Sequence, residues 1–302
     1  MSMPPKIWTL LGDGALGSVL AGLLQQSGLT VSLLRTRPSS RDQPDSLTWL
    51  DRTQQPHTFT PQRWGVEQAA QIECLLVTTK AYAVQPALEP LIGRLPITTP
   101  ILLLHNGMGT AGWVERAFPG HPLLLGITSN AALRDAAGRL HHTGAGETWI
   151  GAGNAAARPW QAIVPLLAHA LPHAAWSDDI ASRQWEKLVI NALINPLTAL
   201  QNVRNGALLD QAAELEPLCN ELLPLLAHQG LHHEAEHWLH RVWQVLRATA
   251  ENYSSMQQDL AAGRPTEIDY ITGYLLRTAQ EAGITLPRHQ QLYDAIKHKE
   301  LL

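Results

Sequence analysis

Only two cysteines occur in the 302 residues, Cys74 and Cys219, far apart in the chain. That excludes a disulfide scaffold and points to reduced thiols in a cytoplasmic protein. No apolar run approaches the roughly 18 residues that a membrane span needs, so no membrane partner is expected. The opening MSMPPKIWTLLGDG has no apolar run followed by a small-residue cleavage site, so no secretory leader is expected. Charge is sparse and nearly balanced, with 22 basic against 26 acidic residues, a net −4. There is no long basic run, which argues against nucleic-acid binding. A fixed-period repeat and low-complexity segments are also missing. What is present is 45% hydrophobic and 16% charged residues, the balance of a globular chain. At 302 residues it is long for one core, so two domains are expected.

The N-terminal part alternates short apolar runs with helix-like stretches. KIWTLL, LTVSLLR, IECLLVTTKA and TPILLLHNGMG read as strands, and LLLGITSNAAL and GETWIGAG as further ones. Strands separated by helical segments imply parallel βαβ units. Residues 36–62, rich in Pro, Arg, Thr, Gln and Asp, read as loops with short strands at most. HHTG at 141–144 reads as a loop or strand edge. Beyond residue 181 the periodicity is helical, as in PLCNELLPLLAHQG, AEHWLHRVWQVLRATAEN and EIDYITGYLLRTAQEAG. The expectation is a Rossmann-type α/β domain with a parallel-sheet core over 1–180, and an all-α domain over 181–302.

Gly12-Asp13-Gly14-Ala15-Leu16-Gly17 fits G-x-G-x-x-G directly after a strand and before a helix. The first glycine permits the tight turn, the second lets a pyrophosphate approach the backbone, and the third lets helix and strand pack closely. An ordinary glycine turn is the alternative. In an NAD-binding domain an acid about 20 residues on holds the ribose 2′-hydroxyl. Here LLRTR places Arg35 there, with Arg37 close by. A guanidinium binds a 2′-phosphate that an acid would repel, so NADP(H) is favoured over NAD(H). The alternative is a solvent-facing arginine at a strand end. Lys80, closing VTTKA at a strand C-terminus, is a further candidate for phosphate or ribose.

In QWEKLVINALINPLT, residues 184–198, Lys187, Asn191 and Asn195 recur every four residues among packing residues. That spacing stacks an ammonium and two amides on one helix face. Such groups are costly to bury without partners, so this face is either wet or receives a polar ligand. A snorkelling surface lysine, with Asn195-Pro196 ending the helix, is the alternative.

LGDGALGS, LLR, VTTKA, LLLHNGMGT, EKLVINALINPLTAL, AENYSSM and TEIDYITG together resemble the ketopantoate reductase (2-dehydropantoate 2-reductase) family, in family order from residue 11 to about 273. The resemblance implies NADPH-dependent reduction of 2-dehydropantoate to pantoate, towards pantothenate and coenzyme A. It also implies an active site in a cleft between a Rossmann domain and a helical domain. Carried over, it makes Lys187 the proton donor and Asn191, Asn195, Asn205, Asn252 and Ser255 substrate contacts. Glu267 becomes the acid near substrate and cofactor, Asn106 a contact to both, and Ala132 a cofactor contact. Monomer and homodimer remain equally open. Two other readings are kept: a reductase of another branched 2-oxo acid, and a non-catalytic NADP(H)-sensing protein. His105 is a candidate cleft residue. His233-Glu234-Ala235-Glu236-His237 matches the H-E-x-x-H zinc pattern. In a chain with 14 histidines that pair is assigned to a polar helix face, and no metal is expected.

Overall fold

The computed structural model describes residues 5–36, 46–135 and 137–302. They form two compact units, one of residues up to 105 and 110–181, the other of residues 106–109 and 182–302. Arg37 lies outside the described residues.

The first unit is built on an eight-stranded sheet. Its strands are β1 (Ile7–Leu11), β2 (Thr30–Leu34), β5 (Gln62–Trp64), β6 (Leu75–Val77), β7 (Ile101–Leu103), β8 (Leu123–Thr128), β11 (Thr148–Ala152) and β12 (Ala174–Trp176). They run in the order β12-β11-β8-β7-β6-β1-β2-β5, parallel except where β11 meets β8. Successive side chains face opposite sides of a strand. Trp8 and Leu10 therefore join one core, which also takes up α1 (Ala15–Gln26) and α4 (Val164–Ala170). Leu11, Leu34, Val77 and Leu103 join the other, with α2 (Ala81–Leu88) and α3 (Ala111–Ala117). A sheet buried on both faces explains the near-continuous apolar strands.

A second sheet carries β3 (Leu47–Leu50), β4 (Pro56–Phe59), β9 (Ala131–Arg134) and β10 (Leu140–Gly144), in the order β4-β3-β10-β9. It packs against α1, where Trp49 lies so close to Gly22 that a Cβ there would come within 2.4 Å of the indole nitrogen. LLLGITSNAAL is thus two strands of two different sheets. The break falls at Asn130, whose buried amide nitrogen donates to Thr128 Oγ1, to the Gly146 carbonyl and to Thr148 Oγ1.

The second unit is helical: α5 (Ile180–Gln201), α6 (Ala212–His228), α7 (Ala235–Ala248), α8 (Ser255–Ala261), α9 (Thr272–Glu281) and α10 (Pro287–Lys299). The first two residues of α5 belong to the first unit. One hydrophobic cluster holds the helices together, with Leu188, Val189, Leu193 and Ile194 from α5 and Leu222, Leu225 and Leu226 from α6. Pro196 does not end α5. The helix runs one more turn and a half, with the buried Thr198 hydroxyl donating to the carbonyls of Ile194 and Asn195. It stops at Asn202, whose φ of 55° is the left-handed conformation that asparagine tolerates at a helix end. None of the helices among the described residues is long and apolar enough to cross a membrane.

Candidate functional site

In the first unit the glycine turn has three differently constrained glycines. Gly12 has φ +122°, and a Cβ on it would lie 2.8 Å from the Thr79 amide. A Cβ on Gly17 would lie 2.2 Å from the Gly12 carbonyl. A Cβ on Gly14 would meet nothing within 4 Å. The first and third glycines are therefore required by packing, while the second borders open space. Gly14 is the N-cap of α1 and supplies no side-chain cap, and the helix ladder begins with Ser18 N–H donating to Gly14 O. The amides of Ala15, Leu16 and Gly17 precede that ladder and sit at the positive end of the helix, an anion cradle. The donor set fits a dinucleotide pyrophosphate. Thr78 Oγ1 fastens the turn by donating to Gly12 O at 3.1 Å. Its role was hidden in VTTKA, since a threonine near a strand end carries no signal of its own.

Arg35 follows β2 and pairs with Asp13 at 3.1 Å, its side chain 29% exposed. Arg134 Nη2 also donates to the Asp13 carbonyl, at 3.3 Å. Two guanidinium groups therefore stand beside the turn. Lys80 is the half-buried N-cap residue of α2. Ala132 lies in β9, paired with His142 of β10. His105 bonds Thr110 Oγ1 through Nε2 at 2.8 Å.

In the second unit, Lys187, Asn191 and Asn195 occupy successive turns of α5, the first two half-buried and Asn195 6% exposed. Burial lowers the Lys187 pKa to about 8, against an opposing pull from the Glu267 carboxylate. Glu267 is 3% exposed, at the start of a turn that continues as a 3₁₀ helix over Ile268–Tyr270. Asn106 Nδ2 donates to Glu267 Oε2 at a long 3.4 Å. The loop bearing Asn106 is locked to that turn: Met108 N–H donates to Tyr270 O, and a Cβ on Gly107 (φ +78°) would fall 2.5 Å from the same oxygen. So residues 106–108 and TEIDY, remote in sequence, form one structure, and its Glu267 acts on the charge of Lys187.

Asn205 and Asn252 form a second group. Asn205 N–H donates to Asn252 O, and Asn205 Nδ2 to Thr249 Oγ1. Asn205 Oδ1 is buried with no partner among the described residues. Asn252 is exposed. Ser255 is half-buried at the first position of α8. Its neighbour Ser254 is the structural serine, capping α8 by accepting from Gln257 N–H and sharing a hydroxyl–hydroxyl hydrogen bond with Thr198. His233 and His237 stack with ring centroids 4.0 Å apart. Among the described residues no three side chains are grouped to hold a metal.

The matching family models and curated relatives point to one family. The model of ketopantoate reductase PanE/ApbA matches residues 8–155, and that of its C-terminal domain matches residues 179–300. A 2-dehydropantoate 2-reductase of Salmonella typhimurium is 41% identical over 231 residues, 76% of this chain and 75% of its own. That of Vibrio cholerae is 37% identical over 295 residues, 96% of this chain and 97% of its own. The crystal structure of 2-dehydropantoate 2-reductase from Geobacter metallireducens superposes with a TM-score of 0.85 at 25% identity, covering 97% of this chain and 99% of that one. By two matched domain models and by relatives aligned along most of its length, the chain belongs to the ketopantoate reductase PanE/ApbA family.

Proposed function

We propose that the chain reduces 2-dehydropantoate to (R)-pantoate with NADPH, in the biosynthesis of pantothenate and coenzyme A. One observation carries this reading: Lys187, Asn191 and Asn195 stand on one face of α5, with the buried Glu267 carboxylate near enough to act on the lysine charge. When bound, NADPH supplies the hydride that adds to the keto carbon. The remaining steps belong to the protein. As the carbonyl bond breaks, its electron pair moves onto oxygen and needs a nearby positive charge and a proton. Lys187, as ammonium, hydrogen-bonds that oxygen, then transfers a proton from Nζ and is left as the amine. A pKa near neutrality suits both states. Glu267 keeps Lys187 from losing its proton too readily and accepts a hydrogen bond from the substrate hydroxyl. Asn191 and Asn195 bind the substrate without adding charge. Ser255 donates to its carboxylate. The unpartnered Asn205 Oδ1 offers the substrate a further polar contact, with Asn252 alongside.

On the cofactor side, the Gly12–Gly17 turn, with Asp13, Ala15 and Leu16, holds the pyrophosphate. Arg35 exchanges Asp13 for the 2′-phosphate, and that charge choice selects NADPH over NADH. Lys80 and Ala132 contact the cofactor further along. Asn106 and Glu267 face both nicotinamide ribose and substrate. Residues 1–180 serve cofactor binding and 181–302 catalysis. The enzyme works in the cytoplasm, as monomer or homodimer. The test is Lys187→Ala. Loss of the proton donor is expected to cut ketopantoate turnover by about 10² to 10⁴, with NADPH affinity unchanged by fluorescence titration. Turnover within a few-fold of wild type would remove Lys187 from the chemistry.

A further inference from the structure

We propose that Glu300, just past the end of α10, positions Glu267 by clamping Thr266. Glu300 Oε1 accepts two hydrogen bonds from Thr266, from its amide N–H and its hydroxyl, both at 2.7 Å. The Thr266 hydroxyl in turn accepts from Ile268 N–H at 3.2 Å. Glu267 thus sits between two residues tied to one carboxylate system. Its own carbonyl accepts from the amides of Tyr270 and Ile271, which leaves the turn little freedom.

The clamp is braced from the same helix. Lys297 bridges Glu300 at 2.9 Å and Asp269 at 3.3 Å. Tyr293 donates its hydroxyl to Asp269 Oδ1 at 2.6 Å. From α9, Arg277 Nη2 donates to the Asp269 carbonyl. Thr266 and Glu267 are both almost fully buried, at 4% and 3% exposure. A buried threonine amide without its acceptor would have to find another, and the turn would shift with it. Small displacements of a carboxylate that binds substrate are costly in rate. The inference rests on the role given to Glu267 above. Glu300 touches neither substrate nor cofactor and acts only through the turn.

The experiment measures kcat and KM for ketopantoate, NADPH affinity and thermal midpoint in Glu300→Ala, Glu300→Gln, Thr266→Val, the Glu300→Ala/Thr266→Val double variant and Glu267→Gln. Glu300→Ala is expected to lower kcat/KM for ketopantoate at least about tenfold, the scale of one lost hydrogen bond to a charged group. NADPH affinity should fall far less than kcat/KM, since this turn carries only one of the cofactor contacts and the glycine turn lies in the other unit. Glu300→Gln keeps an oxygen acceptor and should restore most of the activity. The double variant should be no worse than the poorer single one, because both cut the same link. Thr266→Val carries the same comparison should Glu300→Ala not fold. Wild-type kcat/KM in Glu300→Ala overturns the proposal. So does a loss that glutamine does not restore, or one in which NADPH affinity falls in parallel. Full activity in Glu267→Gln would overturn the role of Glu267 and the clamp with it. A Glu267→Gln slowed at least about tenfold beside a fully active Glu300→Ala would overturn the clamp alone.

Discussion

The protonation of Lys187 sets a pH dependence that can be worked out in advance. Burial brings its pKa from the ordinary 10.5 down to about 8, with Glu267 pulling the other way. Reduction needs the ammonium form, so kcat/KM should be flat in the neutral range and fall with unit slope above about pH 8. At pH 9.5 a group of pKa about 8 is roughly 3% protonated, whereas one at 10.5 is about 90% protonated. The two cases differ about thirtyfold in rate, well beyond assay error. NADPH oxidation at saturating cofactor and low ketopantoate, followed from pH 6 to 10, reads the break directly. Glu267→Gln removes the carboxylate that supports the charged form, so its break should move to lower pH. A profile still flat at pH 9.5, or an unmoved break in Glu267→Gln, would refute the assignment of the proton to Lys187 under the influence of Glu267.

Arg35→Gln should raise the KM for NADPH about tenfold to a hundredfold, the loss of a charge-assisted hydrogen bond to phosphate, and leave the KM for NADH nearly unchanged. Equal effects on both cofactors would remove Arg35 from the 2′-phosphate. Gly14→Ala should retain the wild-type thermal midpoint but bind NADPH poorly, because its Cβ meets no protein atom. Gly17→Ala should instead destabilise the fold by about 1–3 kcal/mol, because its Cβ would press on the Gly12 carbonyl. Calorimetry and cofactor titration of the pair would separate the two effects. Glu221 reaches the start of α10, accepting from the amides of Arg288 and His289 and pairing with His289 Nδ1 at 2.7 Å. Burial pushes its pKa up, but these bonds outweigh it, so its carboxyl titrates below the ordinary value. Its stabilising effect is therefore complete above the unfolded-state pKa and is lost as pH falls through the lower folded-state value. Urea unfolding at a series of acid pH values should show a shallower loss of stability in Glu221→Gln than in wild type.

How much was legible in the sequence followed the range of the interactions involved. The glycine turn and the polar face of α5 are local patterns, and both stand in the structure where the spacing put them. The alternation of strands and helices likewise carried the parallel sheet, because a strand buried on both faces is apolar throughout. The second sheet was not legible. β3 and β4 bury little beyond Trp49 and Phe59, so their alternation is weak, and the other two strands of their sheet, β9 and β10, lie far along the chain. Asn130 looks like any polar residue within a strand, yet its three hydrogen bonds divide LLLGITSNAAL between two sheets. Proline in INPLT suggested a helix end, but packing of the flanking apolar residues and the Thr198 hydroxyl carry α5 through it. The family resemblance marked Glu267. Neither it nor any periodicity marked Glu300, whose contact with Thr266 spans 34 residues. Nor could residue order tell Ser254 from Ser255, since one starts a helix as its cap and the other as its first residue.

Ketopantoate reduction is read directly by NADPH oxidation at 340 nm, with the purified protein given ketopantoate, pyruvate and 2-oxoisovalerate in parallel. The expected result is rapid turnover of ketopantoate, with kcat/KM at least about a hundredfold above the other two acids, since both lack the hydroxyl proposed to bond Glu267. Comparable turnover of 2-oxoisovalerate would contradict that specificity, and tight NADPH binding without ketopantoate turnover would contradict the function itself.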